Sequence, residues 1–118
     1  MISNAFEAMG GRGGLEIATY LDSPKASSDN GRFVVIRIRD TGRGITPEAM
    51  ERLFFPFFTT KPGGSGIGLA IAKKIVDSHQ GMIDVESEAG VGATFSIVRK
   101  TSFMWGDCPT MFWKPGTI

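Results

Sequence analysis

The sequence has few of the residues that build metal or disulfide sites. Cys108 is the only cysteine and His79 the only histidine among 118 residues. A single cysteine cannot form an internal disulfide, and structural zinc sites need several Cys or His ligands. These counts argue against a disulfide scaffold and against a zinc site. They favour a reduced, cytosolic setting.

Neither sign of charge dominates, and long apolar runs are missing. Thirteen Lys and Arg oppose twelve Asp and Glu, which leaves a formal charge of +1. Nucleic-acid binding calls for a basic excess, so we expect no nucleic-acid partner. No run approaches the about 20 apolar residues that span a bilayer, and no secretory signal is visible, so we expect a cytoplasmic chain without membrane contact. A hydrophobic content of 42% predicts one folded domain.

Glycine, in contrast, is abundant and clustered. The 16 glycines are about twice the average usage of about 7%. Most lie in four short groups, within residues 10–14, 42–44, 63–68 and 90–92. Any one group fits a tight turn. Several groups in one small domain favour a ligand with phosphates, because glycine lets the backbone approach an anion closely.

The hydrophobic pattern predicts an α+β two-layer sandwich, with a mixed, largely antiparallel sheet and helices on one face. Residues 67–79 place apolar side chains over about half of a helix circumference, so we expect this helix to lie on a core. Residues 101–118 contain both tryptophans and lack a strong period, so they predict a tail of unknown role after a domain over 1–100. The predicted elements are helices over 2–9, 46–53 and 67–79 and strands over 15–21, 32–40, 82–87 and 93–99.

Asp40 ends the clearest strand on its apolar face. Alternation along residues 32–40 places Ile36, Ile38 and Asp40 on the same side. A buried carboxylate costs several kcal/mol unless a donor satisfies it. Two interpretations stay open here: a hydrogen bond from the amino group of a ligand, or an ordinary Asx turn.

Further candidates lie in the helices and loops. Residues 64–69 alternate glycine with other residues before a helix and could form an anion site, although they match neither a P-loop nor a dinucleotide fold. Asn4, on the first helix beside Glu7, could ligate Mg²⁺ or could be solvated. Lys61 could pair with a phosphate or could be solvated. The four phenylalanines within 54–58 could form a latch or could fill the core.

Together these segments resemble the catalytic ATP-binding domain of bacterial sensor histidine kinases. This domain belongs to a wider family that includes type II topoisomerase and mismatch-repair ATPases, with the Bergerat-type fold. The matching segments cover most of residues 2–99 in the family's order. They are the second half of the N box (4–9), the G1 box (40–45), the F box (54–61), the G2 box (64–69) and a final strand signal (90–95).

The resemblance implies a transferase of two-component signal transduction, a phosphorelay in which the γ-phosphoryl group of ATP passes to a histidine. The partners it implies are ATP or ADP, a separate helical dimerisation and phosphoacceptor domain and, indirectly, a response regulator. Asn4 would ligate Mg²⁺, and Asp40 would bind the adenine amino group with Thr94 nearby. Asn4, Glu7 and Lys61 would be catalytic, with Glu7 either orienting the acceptor or pairing with a base. The implied nucleotide-binding residues are Asn4, Asp40, Gly42, Gly44, Ile45, Lys61, Gly64, Gly66, Ile67, Gly68, Leu69 and Thr94.

The sequence also departs from the family. The earlier asparagine of the N box, one turn before Asn4, is missing with the preceding helix, so we expect a partly open core and an N-terminally incomplete domain that is inactive alone. An alternative is a nucleotide-binding or docking module of the same fold that lacks turnover. A third possibility, a serine kinase of the anti-sigma type, is disfavoured by the full F box, and His79 is disfavoured as a phosphoacceptor.

Overall fold

The computed structural model describes residues 1–22, 32–61 and 63–101. Its elements follow the predicted order, and their bounds agree to within about three residues. Helix α2 differs most, because it is a single short turn followed by non-helical turns. The elements are α1 (Ile2–Ala8), β1 (Leu15–Asp22), β2 (Arg32–Asp40), α2 (Pro47–Met50), α3 (Gly68–Ser78), β3 (Gly81–Glu88) and β4 (Gly92–Thr101). Most of the predicted tail, from residue 102 onward, lies outside the described residues.

The four strands form one sheet in the order β1-β2-β4-β3. Each neighbouring pair is antiparallel, with Ile38 opposite Ile17 on one side and Phe95 on the other. The predicted α+β fold with a largely antiparallel sheet is confirmed. Strands β2 and β3 do run in the same direction. They form no parallel pair because β4 lies between them.

The helices pack on one face of the sheet. Ile38, Asp40 and Phe95 are buried on the face that carries the helices. Helix α1 contacts β2, and helix α3 contacts β3. The helices therefore lie over β2 and β3, and the space between them opens onto Asp40 at the end of β2.

The core on the helix side is only partly covered. We predicted that α3 lies on a core, but the helix is less buried than expected. None of its residues is buried, and Ile71 is 51% exposed. Val76 faces Gly81 at the start of β3, an edge strand that offers the helix a narrow surface. Ile17 and Leu21 of β1, on the helix face, are also exposed. The expected open core is present in the described part of the chain.

None of the helices in the described segments has both the length and the apolar character needed to cross a membrane.

Candidate functional site

A cavity of about 590 Å³ lies between α1, the end of β2, the loop before α2 and the start of α3. This volume falls within the usual range of about 300–1,000 Å³ for small-molecule sites. One part of its wall is apolar and suits a flat ring. That wall consists of Ala5, Ile45, Ala49, Leu53, Phe58, Leu69, Ala93 and Phe95.

Asp40 is the buried polar residue of this cavity and is only 4% exposed. Its Oδ1 accepts a hydrogen bond of 2.9 Å from the backbone N–H of Gly42. No other described residue donates to the carboxylate, so the second oxygen can accept from a donor in the cavity. The two interpretations of Asp40 are therefore compatible, because one oxygen closes an Asx turn while the other is available to a ligand.

The loop after Asp40 is held rigidly on both sides. The N–H of Arg43 donates to the carbonyl oxygen of Ala8 over 3.0 Å, and its carbonyl accepts from Gly90 N–H over 2.7 Å. Gly44 has a φ of +70°, and a Cβ there would overlap the carbonyl oxygen of Glu88. We name residues 40–45 the Asp40 loop. Its glycines are required because helix α1 and the β3–β4 hairpin approach the backbone too closely for a side chain.

Asn4, Glu7 and Lys61 form a polar cluster in the wall of the cavity. Asn4 and Glu7 are three residues apart on α1 and therefore share one helix face. The ammonium of Lys61 donates a 2.6 Å hydrogen bond to Asn4 Oδ1 and forms an ion pair with the Glu7 carboxylate. In this structure Glu7 therefore pairs with a base.

Residues 63–68, which we name the glycine-rich segment, pass along the cavity before α3 begins. Gly64, Gly66 and Gly68 line the cavity. The Gly66 carbonyl accepts a 2.9 Å hydrogen bond from the N–H of Phe57, which itself has a positive φ of 68°. Helix α3 has 11 residues, and its first turn lies at the cavity wall. The N–H groups of this turn have no acceptor within the helix, so they favour an anion.

Most of the predicted site residues come together around this cavity. Gly42 does not line it but packs against Ala8 and donates to Asp40. Ile67 does not line it either; it precedes α3 and is 37% exposed. The predicted residues that do line it are Asn4, Glu7, Asp40, Gly44, Ile45, Lys61, Gly64, Gly66, Gly68 and Leu69.

The position predicted for Thr94 is wrong. Thr94 lies between Ala93 and Phe95, both of which line the cavity, so alternation along β4 directs it to the opposite face of the sheet. There it is paired in register with Arg39 and Glu86. A side chain on that face cannot reach a ligand beside Asp40.

Sequence reasoning missed several residues of the wall. Arg43 lines both the main cavity and a smaller adjoining one of about 340 Å³, which it shares with Glu7 and Lys61. Arg43 lies between Gly42 and Gly44, and this position in the sequence could have identified it as a residue of the cavity wall. Phe58 lines the cavity, whereas Phe55 and Phe57 are 60% and 77% exposed and do not fill the core.

Comparison with known proteins is consistent with this geometry. The family model described as "Histidine kinase-, DNA gyrase B-, and HSP90-like ATPase" matches residues 1–101. The chain belongs to this ATPase family. The ATPase domain is 38% identical over 94 residues to sensor histidine kinase ZraS of Salmonella typhimurium, covering 80% of the chain and 19% of ZraS. It is 41% identical over 100 residues to the histidine-protein kinase AtoS of Escherichia coli, covering 83% of the chain and 15% of AtoS.

Solved structures give the same result. The mycobacterial sensor histidine kinase MprB matches with a TM-score of 0.66 and 30% identity, over 84% of the ATPase domain and 64% of that chain. Full-length ShkA in complex with AMPPNP matches with a TM-score of 0.65 and 31% identity, over 81% of the domain and 19% of that chain. The resemblance to histidine kinase catalytic domains is thus confirmed. The chain spans about a fifth of the length of the curated relatives (19% of ZraS).

Proposed function

We propose that this ATPase domain binds ATP with Mg²⁺ and acts as the catalytic domain of a two-component sensor histidine kinase. It would donate the γ-phosphoryl group to a histidine on a separate helical domain. The observation that carries this proposal is Asp40, a buried carboxylate with one oxygen available to a cavity at the end of a strand. The cationic and amide groups of the polar cluster complete the arrangement that a purine triphosphate requires.

The apolar wall would hold the adenine ring. Ala49, Phe58 and Phe95 offer flat or small apolar surface, and Asp40 offers the acceptor for the exocyclic amino group. A hydrogen bond to a charged group contributes about 1.5–3 kcal/mol. Asp40 would therefore determine both the orientation of the base and the preference for an amino-purine.

Lys61 and the glycine-rich segment would hold the phosphates. Lys61 provides a positive charge, and Gly66 and Gly68 leave the backbone N–H groups at the start of α3 unobstructed. Phosphoryl transfer depends chiefly on positioning and on compensation of charge. The chain's own contribution would be to hold the triphosphate in one orientation beside the adjoining cavity.

The polar cluster fits a divalent cation. Asn4 Oδ1 and the Glu7 carboxylate are oxygen donors, as Mg²⁺ prefers, and they already hold one cation, the ammonium of Lys61. The described segments bring together no group of three or more His, Cys, Asp or Glu side chains. Phosphate oxygens and water would thus complete the coordination. Bound Mg²⁺ would neutralise the charge that develops on the phosphates.

The proposal also covers partners and location. A domain of this kind needs a helical dimerisation and phosphoacceptor domain to supply the histidine, and a response regulator would receive the phosphoryl group afterwards. We place the domain in the cytoplasm, where ATP is available, with no nucleic-acid partner and no membrane contact of its own.

The partly open core favours one alternative, a nucleotide-binding or docking module without turnover. Ile17 and Leu21 of β1 and Ile71 of α3 leave apolar surface uncovered, which could loosen the positioning that transfer requires. Binding of nucleotide and transfer of phosphate would then be separable properties.

Two measurements test these functions in sequence. A calorimetric titration of the chain with ADP and Mg²⁺ should show binding at one site; absence of binding would contradict both functions. The chain is then mixed with ATP, Mg²⁺ and a separately produced cognate helical domain. Formation of phosphohistidine supports the kinase, whereas binding without transfer supports the module.

A further inference from the structure

The ammonium of Lys61 lies at the oxygens that a divalent cation would use. It donates to Asn4 Oδ1 over 2.6 Å and pairs with the Glu7 carboxylate. These are the protein oxygens that fit Mg²⁺ in the proposed function. Two cations held at the same few oxygens repel each other, so the ammonium and the metal ion compete for this site.

The backbone of Lys61 is anchored locally while its side chain reaches back to α1. Its N–H donates to Thr59 Oγ1 over 3.0 Å, and its carbonyl accepts from Gly64 N–H over 3.1 Å. Lys61 and the glycine-rich segment line the same cavity, so a rotation of the Lys61 side chain carries the ammonium from α1 toward that segment.

The ion pair is weak enough to exchange. The side chains of Lys61 and Glu7 are 30% and 55% exposed. Pairs with this exposure contribute between about zero and 1 kcal/mol, because water screens the charges. The polyanionic phosphates of a nucleotide offer the ammonium a more strongly charged partner.

We propose that Lys61 is an exchangeable counter-ion of the Asn4–Glu7 pair, a role that rests on the proposed function. Without nucleotide, Lys61 holds the Asn4 and Glu7 oxygens and suppresses metal binding. When nucleotide binds, the ammonium moves to a phosphate oxygen and leaves those oxygens to Mg²⁺. Nucleotide and metal ion thus favour each other's binding, and the coupling is reciprocal.

The test is Lys61→Met in the full chain, with two binding readouts. The first follows the side-chain amide resonance of Asn4 by NMR during a Mg²⁺ titration without nucleotide. The apparent Mg²⁺ affinity should rise about two- to fivefold, because a competing cation has been removed. The second is calorimetry with ADP in a chelator, where the affinity should fall about tenfold because a phosphate contact is lost.

Opposite changes in the two affinities distinguish this role from simpler ones. A lysine that only contacts phosphate would leave the Mg²⁺ affinity unchanged, and a lysine that only supports the fold would lower both. Lys73→Met is the matched control, because Lys73 also pairs with a carboxylate, Asp77, at 46% exposure but on α3 away from the polar cluster. It should change neither affinity. Lys61→Arg keeps the charge and should bind Mg²⁺ as the unmodified chain does.

Clear results would overturn the proposal. An unchanged or lower Mg²⁺ affinity in Lys61→Met contradicts it, as does an Asn4 resonance that never shifts in any variant. If Lys61→Met does not fold, which its amide spectrum will show, Lys61→Gln replaces it. If the unmodified chain fails to bind ADP with Mg²⁺, the proposed function is wrong, yet the nucleotide-free Mg²⁺ titration still measures the competition.

Discussion

Glycine occurs repeatedly in both the Asp40 loop and the glycine-rich segment, but its surroundings differ between them. In the Asp40 loop, a Cβ at Gly44 would overlap the Glu88 carbonyl oxygen, and a Cβ at Gly42 would lie 2.7 Å from the Ala8 carbonyl carbon. In the glycine-rich segment, Gly63 and Gly68 have nothing within 4 Å of such an atom. Both glycines of the Asp40 loop are enclosed by neighbouring backbone, whereas the glycine-rich segment is enclosed at Gly64 and Gly66 and open at its two ends.

We propose that the two loops have separate tasks. A loop held by α1 and the β3–β4 hairpin can present the Asp40 carboxylate in one fixed position, which suits selection of a rigid base. A segment that is open at Gly63 and Gly68 would be able to adapt its N–H groups to a flexible chain of phosphates. We therefore expect glycine substitutions in the Asp40 loop to affect folding most, and glycine substitutions in the glycine-rich segment to affect binding most.

Gly44→Ala should have the largest effect of the variants considered. The new methyl group combines a positive φ of 70° with an overlap on backbone atoms that cannot move separately. We expect a loss of about 3 kcal/mol or more in the free energy of unfolding, measured by urea denaturation. Gly63→Ala is the matched control, since it has nearly the same φ, 73°, and open space around it. It should lose about 1 kcal/mol; equal losses would contradict the steric explanation.

Asp40→Asn should weaken nucleotide binding with little change in shape. The amide can still accept from Gly42, but if its NH₂ takes the place of the second oxygen, a donor will face the adenine amino group. We expect the affinity for ADP and Mg²⁺ to fall about 10- to 100-fold by calorimetry. Asp84→Asn, on an exposed carboxylate of β3, is the control and should change nothing. An unaltered affinity in Asp40→Asn would remove this residue from its proposed role.

Gly66→Ala tests the most closely packed glycine of the glycine-rich segment. A Cβ at this position would overlap the Phe57 backbone, so the segment must shift away from the cavity. We expect about a tenfold loss of ADP affinity, because the N–H groups beside the phosphates move with it. The free energy of unfolding should fall less than in Gly44→Ala, and a larger fall would mean that this segment also supports the fold.

Gly68→Ala should have the smallest effect and the opposite sign on stability. Gly68 is the first residue of α3, has no positive φ and has free space at its Cβ position. Alanine there should add about 0.5–1 kcal/mol to the free energy of unfolding. Because Gly68 lines the cavity, the same methyl group should lower the ADP affinity. Loss of stability in thermal unfolding would show that the glycine serves the fold instead.

Local patterns were enough to predict the elements and the burial of Asp40. Alternation along β2 predicted that Asp40 lies on the buried face, and the structure leaves it 4% exposed. The predicted start of the second helix at residue 46 agrees with the structure, where the Thr46 hydroxyl accepts from Ala49 N–H. Such features depend on residues close in sequence, whose mutual geometry is fixed by the backbone period.

The strand register and the contacts between distant residues could not be predicted from local patterns. A shift of one residue along β4 decides whether Thr94 or Ala93 faces the cavity, and a short motif does not specify which. The contact of Lys61 with Asn4 spans 57 positions in the chain, and no local pattern encodes it. The sequence therefore determined which residues could do the chemistry. The packing of α1, the sheet and the glycine-rich segment determined which of them meet, because contacts between distant residues follow from the summed packing of the whole chain.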